Sequence, residues 1–441
     1  MKNHNHTPLI GLAALMRMAV ADDDLTALGT QLITRATLDA EDANALLDLS
    51  TLLQLRGQQS VALATQVQAL QIRQLYRAPT AAGPACLRVL AVMAPGDLMA
   101  NTPLECLLEQ ANVQLDLLYV SADLPLPPTL PAHDALFIAV GESEQNQPLL
   151  QQLATTVAAW PCPVINRPAG IARLSRNDAY ERLHAIPGVV MPVTLRLDKN
   201  TLQQIGQQAL PLTAALPHAD FPEALVIQEA LSIPTTVGGF QEALVSPLRG
   251  GCPIIVRPVD SHAGHGLAKL DHPDGIAEYL REHGDAALPV AFYLSPFIDY
   301  RSADGWFRKY RVLLINGRPF ACHMAISKHW MIHYLNADMT GNAANRAEEA
   351  NFMANFDEGF ALRHKNALRA IYESVGLHYF GIDCAETADG KLLIFEVDSN
   401  MIVHAMDPPE LFPYKQPQMR KVFDAFCQML NDETAQTPPA A

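Results

Sequence analysis

The chain has 441 residues, 49% of them hydrophobic, and 31 basic against 46 acidic side chains leave a formal charge of −15. That length exceeds what one core usually organises, so two or three domains are expected. The negative balance, without any long Lys/Arg run, argues against nucleic acid or an anionic membrane as partner.

The seven cysteines are scattered without C-x-x-C spacing and read as reduced core thiols, which points to a cytoplasmic protein without disulfides or a zinc site. Residues 1–80 read as helix. Pro8 to Ala21 is apolar and ends in Ala19-Val20-Ala21, which mimics a cleavable leader, but Arg17 interrupts it and amphipathic helix follows. No stretch approaches the roughly 20 apolar residues that cross a bilayer. Glu41 to Leu55 carries Leu46, Leu49 and Leu53 at helical spacing; Arg56-Gly57-Gln58 breaks it, and Val61 to Tyr76 resumes. Ser50, Ala62 and Ala69 beside those leucines resemble the packing positions of one tetratricopeptide repeat. A plain helical cap or a homodimerisation element reads equally from the same residues.

Arg77 to Pro84 is a linker by composition. Over 85–168 strands at 87–93, 115–120, 135–140 and 163–166 alternate with helices at 104–111 and 148–160, predicting a doubly wound parallel sheet. Ligands bind beyond the carboxyl ends of such strands, which nominates Ala94 to Asn101 and the pair Asn166, Arg167. Residues 169–250 continue as helix and strand around a Pro-rich loop at 210–222. Beyond them a strand at 253–257, a loop at 258–266, a helix at 273–283, a strand at 290–298, a hairpin at 308–324 and a helix at 345–375 are expected, with a disordered tail at 433–441.

The segment Gly381 to Asp398 carries the strongest chemical signal. Thr387-Ala-Asp-Gly390 punctuates a hairpin turn before the apolar run Leu392 to Phe395. Side chains two apart on a strand share a face, so Glu396 and Asp398 can converge with Asp383 on the partner strand. Three carboxylates suit Mg²⁺, with Mn²⁺ as an alternative occupant, the rest of the shell coming from water and phosphate oxygens. Alone, the segment reads equally as a solvated hairpin. Upstream, the β-run Pro253 to Val256 delivers Arg257 to a loop holding Ser261, His262, Gly264, His265 and Gly266, where backbone amides can approach an anion and a guanidinium can grip phosphate. The apolar strand Ala291 to Asp299 and the basic strand around Lys309 and Arg311 follow.

Taken in this order, residues 87–405 resemble the ATP-grasp superfamily, in particular its glutathione-synthetase-like carboxylate–amine ligases. The resemblance implies an α/β chain: a doubly wound pre-ATP-grasp domain at 85–168, a small ATP-grasp subdomain region at 169–250 and a nucleotide- and metal-binding region at 251–432, behind an all-α N-terminal extension at 1–80. It implies that Arg257 stands at the usual phosphate-binding lysine position and that Ser261 to Gly266 covers the triphosphate. It further implies that Ser295, Phe297 and Ile298 hold adenine, with Asp299 near the ribose. Lys309 would bind ATP, Arg311 would touch the phosphates or the reacting carboxyl, and Asp383, Glu396 and Asp398 would hold the metal. Arginine in place of lysine, Glu396-x-Asp398 in place of Glu-x-Asn, and the two loop histidines depart from the pattern. Asn166, Arg167, Lys328, His333, Asn400 and His404 are the candidates for substrate recognition. His329 and His333 stand four apart without an H-E-x-x-H motif, so they are read as substrate contacts before metal ligands. The expected activity is an ATP- and Mg²⁺-dependent, ADP-forming ligase joining a small-molecule or peptide carboxylate to an amine. The alternative is a non-catalytic nucleotide-binding scaffold that recruits a protein partner through its helical N-terminus.

Overall fold

The computed structural model describes residues 7–436 apart from 22, 80–84, 208–252, 263, 273 and 284–290. The Pro-rich loop at 210–222 and the last tail residues 437–441 therefore lie outside the described residues.

Four helices come first: α1 (Leu12–Val20), α2 (Leu25–Leu38), α3 (Ala43–Leu55) and α4 (Gln59–Ile72). Side chains of Asp24 and Asp42 cap α2 and α3 by accepting the otherwise orphaned amides of Thr26 and Ala45. The expected α3–α4 hairpin is present, and its small residues explain the close approach: the Ser50 hydroxyl donates to the Ala62 carbonyl at 2.8 Å. Helix does not continue to Tyr76. Arg73 turns extended, and Leu75–Arg77 forms an edge strand, β1, held by the Tyr76 hydroxyl on the Ala69 carbonyl and by an Arg77–Asp116 ion pair at 2.6 Å.

Three sheets follow. The first contains β1 and the strands β2 (Leu87–Met93), β3 (Val113–Tyr119), β4 (Ala135–Ile138) and β5 (Val164–Ile165), in the order β1-β3-β2-β4-β5. All its pairs are parallel except the β1 edge, as the alternating pattern of strands and helices predicted. One short helix of this region, α5 (Leu104–Leu108), stops earlier than expected. The second sheet is antiparallel, ordered β7-β10-β8-β9, from β7 (Leu195–Asp198), β8 (Ile254–Pro258), β9 (Ala268–Leu270) and β10 (Ala291–Pro296). The third is ordered β12-β11-β13-β14-β6 and joins β6 (Val189–Val190), β11 (Phe307–Ile315), β12 (Arg318–Ser327), β13 (Tyr379–Glu386) and β14 (Leu392–Asp398). The β11–β12 turn uses Asn316 (φ 44°) and Gly317 (φ 77°), the left-handed pair that a two-residue hairpin requires. This is a mixed α/β architecture with a helical N-terminal region.

Two expected elements are corrected. The single helix at 345–375 is three pieces, Ala343–Ala354, Phe360–Arg363 and Lys365–Val375, because the chain turns at Gly359 to set Phe360 against Tyr310 and stack it on Phe356. The tail expected from 433 is still ordered there, inside the helix Lys415–Ala435. Among the described residues no helix is long and apolar enough to cross a membrane, and the six described cysteines are all free thiols.

The first and third sheets share one continuous apolar core, whereas the second keeps a small core of its own around Ile254, Val256, Ile276, Phe292 and Leu294. Asn166, fully buried with φ 53°, locks the first and third sheets together: its Nδ2 donates to the Tyr379 carbonyl at 2.7 Å, and its Oδ1 accepts the Tyr379 amide at 3.0 Å. Asn166→Ala strands both groups of Tyr379, so an unfolding free energy lower by about 2–4 kcal/mol is expected from urea titration.

Two buried carboxylates pin the start of α1: Asp48 accepts the amides of Ile10 and Gly11 at 2.9 and 3.0 Å, and Glu105 accepts that of Leu12 at 2.9 Å. Burial pushes Asp48 up to about 6 and Glu105 up to about 7. A carboxyl raised on folding holds its proton more tightly in the folded state, so its contribution is whole below about pH 4 and is lost as pH rises through 6 to 7. The thermal midpoint should accordingly fall between about pH 5 and 8, and fall less in Glu105→Gln; identical profiles would contradict this.

Candidate active site

Strand alternation builds the site. On β11, Lys309 and Arg311 face inward, while Arg308 turns out to Asp304 and Glu348 and Tyr310 enters the aromatic cluster. The register sets Asp383 of β13 opposite Arg311 on one side and Glu396 of β14 on the other, with Asp398 two residues further along the same face. All five side chains line one cavity of about 610 Å³ between the second and third sheets. Arg257, His262, Gly264, Ser295, Phe297, Ile298, His333 and His404 line it too.

The three acids share the expected face, but not the expected role. Asp383, only 1% exposed, is held by Arg311 at 2.8 and 3.1 Å and by Lys309 at 2.6 Å. Burial opposes its ionisation, yet Arg311 and Lys309 outweigh that and hold the carboxyl far below the usual range. Both its oxygens are thus engaged, and among the described residues no three His, Cys, Asp or Glu side chains come close enough to hold a metal ion. Glu396 gives one oxygen to Arg176 at 2.6 Å, and Asp398 gives one to the Asn400 amide at 2.9 Å. Burial opposes ionisation of Glu396, but Arg176 and Arg257 prevail; burial and then Glu396 push Asp398 up to about 7. Each keeps a second oxygen without a protein partner among the described residues. Two carboxylates fit Mg²⁺, which commonly takes one or two and completes its shell from water and phosphate. Glu396 and Asp398 are therefore the pair that could hold Mg²⁺ or Mn²⁺, with Asp383 orienting the cations beside them.

Other expected residues divide by what they touch. Arg257 folds back on Ser261, donating to its hydroxyl at 3.1–3.2 Å and to its carbonyl, while Ser261 donates to the Pro258 carbonyl at 2.8 Å. Burial and the nearby Arg176 bring Arg257 down to about 9. Ser261 shapes the loop; His265 is exposed, and neither it nor Gly266 lines the cavity. Asp299 lies outside, exposed and paired with Arg301. The substrate assignments of Asn166, Arg167, Lys328 and Asn400 are corrected. Asn166 is consumed by Tyr379, and Arg167 is exposed away from the cavity. Lys328 lies 5.0 Å over the Trp306 ring, and Asn400 is buried with its amide donating to the Met99 carbonyl.

The structure adds residues that sequence patterns did not single out. Arg176, at the start of the helix Arg176–Leu183, also donates to the Phe395 carbonyl at 2.7 Å. His323 faces Arg311 across β12, and burial first, then Arg311, holds its pKa well below normal. Lys415, 4% exposed, reaches Asp407 at 3.1 Å and lies 4.1 Å over the Tyr334 ring. Beneath it the buried Glu349 accepts the Met324 amide and the hydroxyls of Tyr334 and Tyr414 at 2.6–3.0 Å. No local spacing announces this network, because even the bonded pair Tyr334 and Lys415 lies 81 residues apart.

No protein-family model and no curated protein matches the chain. Solved structures do. An ATP-grasp RimK domain protein from Sphaerobacter thermophilus DSM 20745 aligns at 17% identity and TM-score 0.39, over 79% of this chain and 99% of that one. The D-alanine-D-alanine ligase from Coxiella burnetii aligns at 12% identity and TM-score 0.43, over 79% and 97%. The VanG D-Ala:D-Ser ligase from Enterococcus faecalis aligns at 10% identity and TM-score 0.41, over 79% and 100%. These superpositions are loose, and the chemistry of the cleft follows from its own residues.

Replacing Arg311 tests the ion cluster. Arg311→Met leaves Asp383 with Lys309 alone, and a loss of about 3 kcal/mol in urea unfolding is expected; an unchanged midpoint would mean that Asp383 does not depend on this partner.

Proposed function

We propose that the chain is an ADP-forming ligase that uses ATP and Mg²⁺ to join a carboxylate to an amine through an acyl phosphate. The observation that carries the reading is a single cavity in which Arg257 of the second sheet and Lys309 and Arg311 of the third surround Glu396 and Asp398. Phosphoryl transfer needs those parts in one water-excluding place: fixed cations for the phosphates and carboxylates for a divalent ion. Beside them Phe297, set edge-on to Trp330 at 5.7 Å, and Ile298 form an apolar slot suited to a purine.

In this reading an oxygen of the substrate carboxylate attacks the γ-phosphorus, the bond to the β-phosphate oxygen breaks, and ADP leaves. The amine nitrogen then attacks the acyl carbon, the carbon–oxygen bond breaks, and inorganic phosphate departs with the electron pair. Lys309 and Arg311, held in place by Asp383, face the charge that develops. Bound Mg²⁺ on Glu396 and Asp398 would neutralise phosphate oxygens. His333 and His404 line the cavity, and burial lowers the pKa of both, so neutral imidazole is available to take the amine's proton.

Carboxylate-dependent ADP release should fall at least about a hundredfold in Glu396→Ala, in a variant whose circular dichroism spectrum stays that of the folded chain. Full turnover by that variant would remove Glu396 from the metal site. A nucleotide-binding scaffold would release no ADP with any acid and amine, so the same screen separates the two readings.

A further inference from the structure

We infer that α1 is a wall of the substrate cleft, and that Met16 and Val20 on it form a subsite for an uncharged, apolar part of the substrate. The assignment of that part to a reacting molecule rests on the ligase reading; the subsite itself does not.

Met16 and Val20 stand four apart, one helical turn, and both line the cavity. Met16 is 8% exposed and packs with Cys106 and Met406, whereas Val20, 44% exposed, stands at the rim. The helix that carries them is fixed at both ends. Asp48 takes the amides of Ile10 and the N-cap Gly11, Glu105 takes that of Leu12, and Arg17 pairs with Glu109 in the last turn. Gly11 (φ 85°) makes the Glu105 contact feasible, since a Cβ there would fall 2.4 Å from the Glu105 carboxylate.

The wall is continuous with the reaction centre. Arg311 donates to the Ile402 carbonyl at 3.3 Å, and Ile402 packs against the Met16 cluster. Met99 and Met401 complete the lining, and thioether side chains adapt readily to varied apolar shapes. The charged groups at this end, Lys415 and Asp407, engage each other at 3.1 Å, and burial lowers the pKa of His404. Among the described residues the end is thereby left with apolar surface beside a self-paired Lys415 and Asp407, which matches an aliphatic chain or ring of a few carbons. That chain could sit on the acid or on the amine.

Calorimetry on the full chain with MgATP distinguishes the carriers, using straight-chain carboxylates from acetate to hexanoate and n-alkylamines from ethyl to hexyl. In one series, affinity should rise roughly fourfold per added methylene. A rise with the acids places the apolar part on the carboxylate, and a rise with the amines places it on the amine. Flat affinity in both series overturns the subsite. Val20→Glu, at an exposed position that tolerates charge, and Met16→Ser should flatten the slope, while Met16→Leu should keep it. A slope untouched by both disruptive variants overturns the role of α1. ADP release with flat slopes would sink the subsite and leave the ligase standing; steep slopes without uptake of MgATP would do the reverse.

Discussion

A carboxylate on a strand in the middle of a sheet is tolerable only if fully paired, and Asp383 of β13 is paired on both oxygens. That requirement orders the cleft. Arg311 and Lys309 cannot swing freely, because the buried anion between them holds both. Their positive ends therefore stay fixed on the face where Glu396 and Asp398 also emerge. Arg176 reaches in from a separate helix to balance Glu396, so cations and anions alternate across the floor. Such preorganisation is what an electrostatic site needs, since little reorients when charge moves.

The hairpin, the basic strand that carries Lys309 and Arg311, and the parallel first sheet were legible because each depends on local pattern alone. The partner of Asp383 was not, because Arg311 lies 72 residues away and nothing in either segment specifies the register between their strands. Three acids on one face looked like three ligands. Pairing by neighbours from another strand engages Asp383 fully and leaves only Glu396 and Asp398 with an oxygen unengaged among the described residues. Asn166 misled for a related reason. It stands at the carboxyl end of a parallel strand, where ligands bind, yet its left-handed backbone turns the amide onto Tyr379. An Asn at such a point serves sheet docking as readily as recognition, and the single segment does not distinguish them.

The helical N-terminus illustrates another limit. Its leucine spacing predicted α3 and α4 well, but the helix that reaches the cleft is α1, whose apolar stretch looked like a leader. Its partners, Asp48 and Glu105, are remote in sequence and carry no motif. Only tertiary structure shows that buried carboxylates receive the first amides of that helix. The same holds for Lys415 and Glu349, which sit in ordinary amphipathic helices.

The separate small core of the second sheet has a mechanical consequence. Its apolar residues pack against one another and against the helices Lys199–Gly206 and Gly275–His283, joined to the large core through Val193. Swinging that sheet outward as a rigid flap would uncover the cleft wall that carries Arg257 and Tyr293, without breaking the interior that keeps the molecule folded. Such an opening would break little more than the contacts that bridge the mouth, among them the Glu144 amide on Asp260 and the Arg196–Glu144 ion pair.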